Sequence, residues 1–146
     1  IADEIGPERV GFRISPSVSI GGLVEGEEAP DLYRHLVEEL DKIGLAYLHL
    51  MHASDEALAR DIRTRWANPL LYLRIGRTLE TLEKDLSSGL ADVLPIGRWA
   101  LANPDFIERY KKGAPLNEAD HTTFYGGGAQ GYTDYSRLSA RLPRLD

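Results

Sequence analysis

Four short apolar stretches recur along the chain: 9–14 (RVGFRI), 45–51 (LAYLHLM), 70–75 (LLYLRI) and 91–96 (ADVLPI). Each is nearly continuous in apolar residues, the pattern of parallel strands covered on both sides. Between them the apolar positions change to a helical period. Over 30–43, Leu32, Tyr33, Leu36, Val37, Leu40 and Ile43 share one stripe, and Gly44 follows where a helix would end in a left-handed residue. The segment 54–66 is predicted to be a helix with Ser54 as N-cap and acids in its first turn. A third helix is predicted over 78–88, opening on Thr78 and stopping at Gly89. A fourth is predicted over 103–112, with Asn103 as N-cap, Pro104 in the first helical position and Gly113 after the end.

The order is therefore βαβαβαβα, with successive strand starts 21 to 36 residues apart. Such an order predicts a parallel sheet with helical crossovers. Four units are too few for a complete (β/α)8 barrel, which takes about 250 residues. They suffice for a small open sheet, while a half barrel leaves two unpaired edges. The predicted organisation is 1–113 as the βα region and 114–146 as an extended tail, where Gly, Asn, Asp, Thr and Tyr follow no clear period.

The chain's 146 residues fit one domain, with 42% hydrophobic and 27% charged positions. A net charge of −6 argues against an extended nucleic-acid footprint, which needs a basic stripe. No apolar run is long enough for a transmembrane helix. The acidic start, IADEIGPE, does not read as a signal peptide, and a first residue other than Met points to a processed or truncated chain. Cysteine is absent, which excludes thiolate chemistry and suits a cytoplasmic protein.

Candidate chemistry sits where strands end. The third and fourth apolar stretches both run into Gly-Arg, at Gly76-Arg77 and Gly97-Arg98, each ahead of a helical pattern. In parallel α/β proteins ligands bind beyond the C-terminal ends of the strands. A glycine there admits an anion to the backbone amides, and an arginine adds a fixed cation. Two such units are more specific than one, though each alone also fits a tight turn followed by a surface charge. Arg13, late in the first stretch, needs either a carboxylate partner or a ligand. His49 and His52 lack a carboxylate set and read as structural or pocket-lining residues, so no metal is expected. In the tail, TTFYGGGAQGYTDY fits either a linker or an aromatic lid on a planar ligand.

Four stretches carry a resemblance: ERVGFRISP, GLAYLHLMH, GLADVLPIGRWALANPDFIERYKKGAPLN and TFYGGGAQGYTDY. Together they span residues 8 to 135, and the chain resembles the C-terminal half of the old yellow enzyme family of FMN-dependent NAD(P)H oxidoreductases, the ene-reductases. The resemblance implies the last four βα units of a (β/α)8 barrel, with FMN at its mouth and NAD(P)H as reductant. It implies that Arg13 reaches the pyrimidine side of the flavin. By the same resemblance, Gly76-Arg77 and Gly97-Arg98 form two walls of the phosphate site, and Phe124 and Tyr125 lie beside the flavin or the substrate mouth. The family's substrate-anchoring pair and proton-donating tyrosine belong to its first four units, so no catalytic residue is assigned here. The implied substrate is an enone-type alkene, and the isolated chain is expected to be inactive. Ser136 stands where the family usually has proline, and 137–146 have no recognised counterpart. Two rival readings remain. One is a non-catalytic half barrel that pairs with a missing N-terminal half or a second copy; the other is a phosphate-binding barrel fragment without flavin.

Overall fold

The computed structural model describes residues 1–19, 21–52, 55–126 and 128–138, with the His52 side chain outside that description. Two compact units divide the chain, Ile1–Pro95 and Ile96–Asp146.

The first unit begins with a short helix, α1 (Ala2–Ile5), and a 3-10 turn, Pro7–Arg9. Three strands and three helices then alternate: β1 (Gly11–Ile14), α2 (Ala29–Ile43), β2 (Tyr47–His52), α3 (Glu56–Arg65), β3 (Leu70–Arg74) and α4 (Leu79–Ser87). The strands form one parallel sheet in the order β1-β2-β3. The sheet is open. Register pairs Arg13 with His49 and His49 with Leu71, so alternate residues of the three strands share a face. One face carries Ile14, Leu48, Leu50, Leu70 and Tyr72, all buried. Against it pack Val37 and Leu40 of α2 and Leu58, Ala59 and Ile62 of α3, with Trp66 closing the cluster. Full burial of each such side chain contributes about 1.5–3 kcal/mol.

The opposite face holds Arg13, Tyr47, His49, Met51, Leu71 and Leu73, none of which is fully buried. The continuous apolar pattern predicted cover on both faces; complete burial is found on one. Gly11 belongs to this second face, where the Tyr47 ring occupies the space that a Cβ at position 11 would need.

Local sequence explains the helix ends. Thr78 accepts a hydrogen bond from the Thr81 N–H at 3.3 Å and caps α4 as predicted. Gly44 takes a left-handed conformation after α2. The α3 cap is Asp55 rather than Ser54, which lies outside the described residues. Asp55 Oδ1 accepts the N–H groups of Ala57 and Leu58 at 2.9 and 3.2 Å. The α2 stripe is wider than the surface it covers, leaving Leu32 and Ile43 exposed at its ends.

The fourth apolar stretch, 91–96, is not a full strand. It makes a single parallel bridge, Leu71 to Val93, with Tyr72 N–H donating to Val93 C=O at 3.0 Å. Two of its residues limit pairing. Pro95 has no N–H to give, and Asp92 uses its carboxylate to accept the Leu70 N–H at 2.8 Å and pair with Arg63 at 2.7 Å.

The second unit contains α5 (Gly97–Ala102), α6 (Phe106–Lys112) and a 3-10 turn at His121–Thr123. The helix predicted over 103–112 starts only at Phe106, with Asp105 rather than Asn103 in the cap position. Asn103 is instead a buried bracket: its amide donates to Trp99 C=O and Asn117 C=O, and its oxygen accepts the Asn117 N–H at 2.7 Å. Arg109 is fully buried and ties the tail to α6. It donates to Asp105 at 2.6 Å, to Pro115 C=O at 2.6 Å and to Ser136 C=O at 2.7 Å. Residues 139–146 lie outside the described residues. No helix among the described residues is long and apolar enough to cross a membrane.

Candidate functional site

Parallel pairing sets the C-terminal ends of β1, β2 and β3 on one rim of the first unit's sheet. Arg13, Gly76 and Arg77 belong to that rim. Arg13 is exposed, with its guanidinium 2.6 Å from the Met51 sulfur. Among the described residues no carboxylate pairs with Arg13. Its strand neighbour His49 is half-buried and its Nε2 has no partner. Burial, and secondarily the Arg13 charge, lower the His49 pKa and hold the ring neutral. The strand separation of about 4.8 Å puts β1 roughly 10 Å from β3, so Arg13 and Arg77 serve different parts of the rim.

Gly76 has φ +75°, and open space surrounds the position of a Cβ. This left-handed residue turns the chain out of β3 into the capped start of α4. Arg77 follows it, 39% exposed, with its guanidinium 3.5 Å from Glu56. Beneath lies a group the sequence reading passed over. Arg74, the last residue of β3, is buried and pairs with buried Asp85 of α4 at 2.9 and 3.1 Å. Its other nitrogen donates to Glu56 at 2.5 Å. The Arg74 hydrogen bond, with smaller help from Arg77, holds the Glu56 carboxyl below its usual range. The available signal was an arginine inside an apolar strand, the same signal that drew attention to Arg13.

In the second unit Gly97 is the first residue of α5, without a left-handed backbone. Arg98 stacks on the neighbouring Trp99 ring, 4.7 Å from its centroid. Both line a cleft of about 460 Å³ with Leu116, Asn117, Glu118 and His121. His121 also packs on Phe124, ring centroids 4.7 Å apart. His121, which the sequence did not single out, thus lines the same cleft as Arg98 and packs on Phe124. Tyr125 is fully exposed. Tyr132 Oη donates to Phe124 C=O, and Tyr135 Oη accepts the Asp120 N–H at 2.8 Å. These bonds hold the glycine-rich segment on both sides of Gly127, itself outside the described residues.

The rim of the first unit therefore offers one exposed and one loosely paired cation, and the second unit offers a cleft with Arg98 on its wall. Arginines of this kind recognise phosphate and other planar or tetrahedral anions.

Known proteins are similar to this chain in sequence and in fold. No protein-family model matches the chain. A protein of Leishmania infantum named "Probable flavin mononucleotide-dependent alkene reductase" is 37% identical over 140 residues, covering 92% of this chain and 38% of that protein. The 12-oxophytodienoate reductase 2 of Arabidopsis thaliana is 33% identical, over 96% of this chain and 40% of its own. Among solved structures, a morphinone reductase superposes with a TM-score of 0.83 at 37% identity, over 99% of this chain and 40% of the other. The old yellow enzyme of Trypanosoma cruzi gives a TM-score of 0.83 at 28% identity, over 94% and 37%. The chain spans about two fifths of the length of these relatives, and its open parallel sheet corresponds to half of an (β/α)8 barrel. In sequence and in fold the chain is thus related, over about two fifths of their length, to the old yellow enzyme family of flavin-dependent alkene reductases.

Proposed function

We propose that this chain is the FMN-binding half of an NAD(P)H-dependent ene-reductase that acts on activated alkenes. The observation that carries the reading is the recurrence of Gly-Arg in both units, in a chain related to FMN-dependent alkene reductases. Gly76 with Arg77, and Gly97 with Arg98, would each offer a phosphate backbone amides and a guanidinium group. Arg13, exposed and without a carboxylate partner among the described residues, would place its charge against the pyrimidine edge of the flavin. Phe124 and Tyr125 would border the flavin or substrate mouth. The residues present fit the group: cations are available, and Gly76 leaves space for close approach. When bound, FMN would supply the redox chemistry of hydride transfer between NAD(P)H and an alkene. The chain's own residues bind and orient. No proton donor is assigned among them, so the 146-residue chain alone is expected to lack turnover.

Titration with FMN tests this reading. Arg98→Ala is expected to raise the FMN Kd by about tenfold, the loss of one charge-assisted contact. Equal Kd values for the two proteins would remove Arg98 from the site.

One observation favours a second reading, a half barrel that pairs with a missing half or a second copy. His49 Nε2 is buried without a partner on the sheet face opposite the core, and a covering element would supply one. Sedimentation velocity is then expected to show self-association at high concentration; a clean monomer would contradict self-closure.

A further inference from the structure

The Arg74–Asp85–Glu56–Arg77 cluster holds two cations and two carboxylates, but they are not two equal pairs. Arg74 and Asp85 are both buried, and Nη1 of Arg74 donates to both Asp85 carboxylate oxygens, pairing the two charges. Glu56, the first residue of α3, is 51% exposed and reaches Arg74 from the solvent side. Its charge is therefore surplus to the buried pair, and Arg77, at 3.5 Å, is the cation that balances it. Arg60, one turn along α3, adds a weaker positive influence.

The two contacts of Glu56 differ in kind. Arg74 is fixed by a strand and a buried partner. Arg77 follows a left-handed glycine, is partly exposed, and holds Glu56 at the longer distance. Exposed pairs of this sort contribute little, whereas a phosphate offers an arginine bidentate, charge-assisted bonds.

Resting on the phosphate-site reading of Arg77, we propose that Glu56 is the internal counter-ion of that arginine, holding it without ligand and yielding it when a phosphate monoester binds. Arg74 remains as the anchor for the displaced carboxylate. Glu56 is thus a positioning residue that orients Arg77 while limiting the affinity of the site.

The test uses the 146-residue chain, with FMN and riboflavin as a probe pair that differs only in the phosphate, read by flavin fluorescence. Glu56→Gln keeps an oxygen for Arg74 and removes the charge. It is expected to tighten FMN binding about two- to fivefold, the range of one exposed ion pair. Riboflavin binding should not move, and the gain should vanish in an Arg77→Gln background. If wild type prefers FMN over riboflavin but Glu56→Gln binds FMN equally or more weakly, the counter-ion role is overturned while the phosphate site stands. If wild type does not distinguish the two probes, or binds neither, the phosphate-site reading fails and the counter-ion role with it. Should the variant not fold, the wild-type protein still decides. FMN is expected to shift the Glu56 carboxyl carbon resonance in NMR, and an unmoved resonance beside a perturbed Arg77 overturns the proposal.

Discussion

Arg109→Ala is expected to unfold the second unit at temperatures where the wild type is intact, with a loss of about 3–5 kcal/mol, as for removal of one partner from a buried ion pair. Arg109 is fully buried, and its three donors go to three separate parts of the chain: Asp105, Pro115 C=O and Ser136 C=O. Asp105 in turn accepts the Leu138 N–H at 2.6 Å. That backbone bond, and then the Arg109 contact, hold the Asp105 carboxyl below its usual range. A carboxyl lowered on folding stabilises the fold above its unfolded-state pKa, about 3.9, and the stabilisation disappears as pH falls through the folded value. The variant strands a carboxylate and two carbonyls together, and without Arg109 the segments around 115 and 136 lose their common anchor. Hydrogen exchange across 114–138 reads this directly: protection should collapse in Arg109→Ala. Retained protection would mean that the Asn103–Asn117 bracket alone holds the segment.

Asp85→Ala is expected to destabilise the first unit by a similar amount, about 3–5 kcal/mol, because it leaves the buried Arg74 guanidinium with Glu56 alone. The charge, not the contact area, sets this loss, and a second variant separates the two. Arg74→Met combined with Asp85→Leu removes both charges and fills similar volume. Buried pairs replaced in this way are often neutral in stability, so the double variant should recover most of what Asp85→Ala loses. Urea unfolding of the three proteins gives the comparison, and a double variant as unstable as the single would show that the pair itself is a net source of stability.

The sequence made the architecture readable where a side chain acts on its own neighbourhood. Thr78 caps α4, Gly44 and Gly113 end their helices in left-handed conformations, and the three apolar stretches form parallel strands. It misled where partners lie far along the chain or where two residues compete for one role. Asn103 precedes proline and looks like a cap, but its polar atoms are spent on Asn117, fourteen positions away. The stretch 91–96 looks like a strand, but Asp92 and Pro95 limit it to one bridge. Arg77 was visible because it follows a glycine at a strand end. Arg74, three residues earlier, reads as strand until Asp85 and Glu56 are brought to it by α4 and α3. His121 sits in a polar run without period, and only the fold sets it against Phe124 and the Arg98 cleft.

On the proposed reading, this chain recognises FMN through its phosphate. Calorimetric titration of the wild-type 146-residue protein with FMN and with riboflavin, at the same ionic strength, tests it most directly. FMN is expected to bind at least tenfold more tightly, about 1.4 kcal/mol or more, with the difference shrinking as salt rises. Equal affinities for the two flavins, or no binding of FMN at any salt concentration, would contradict the claim.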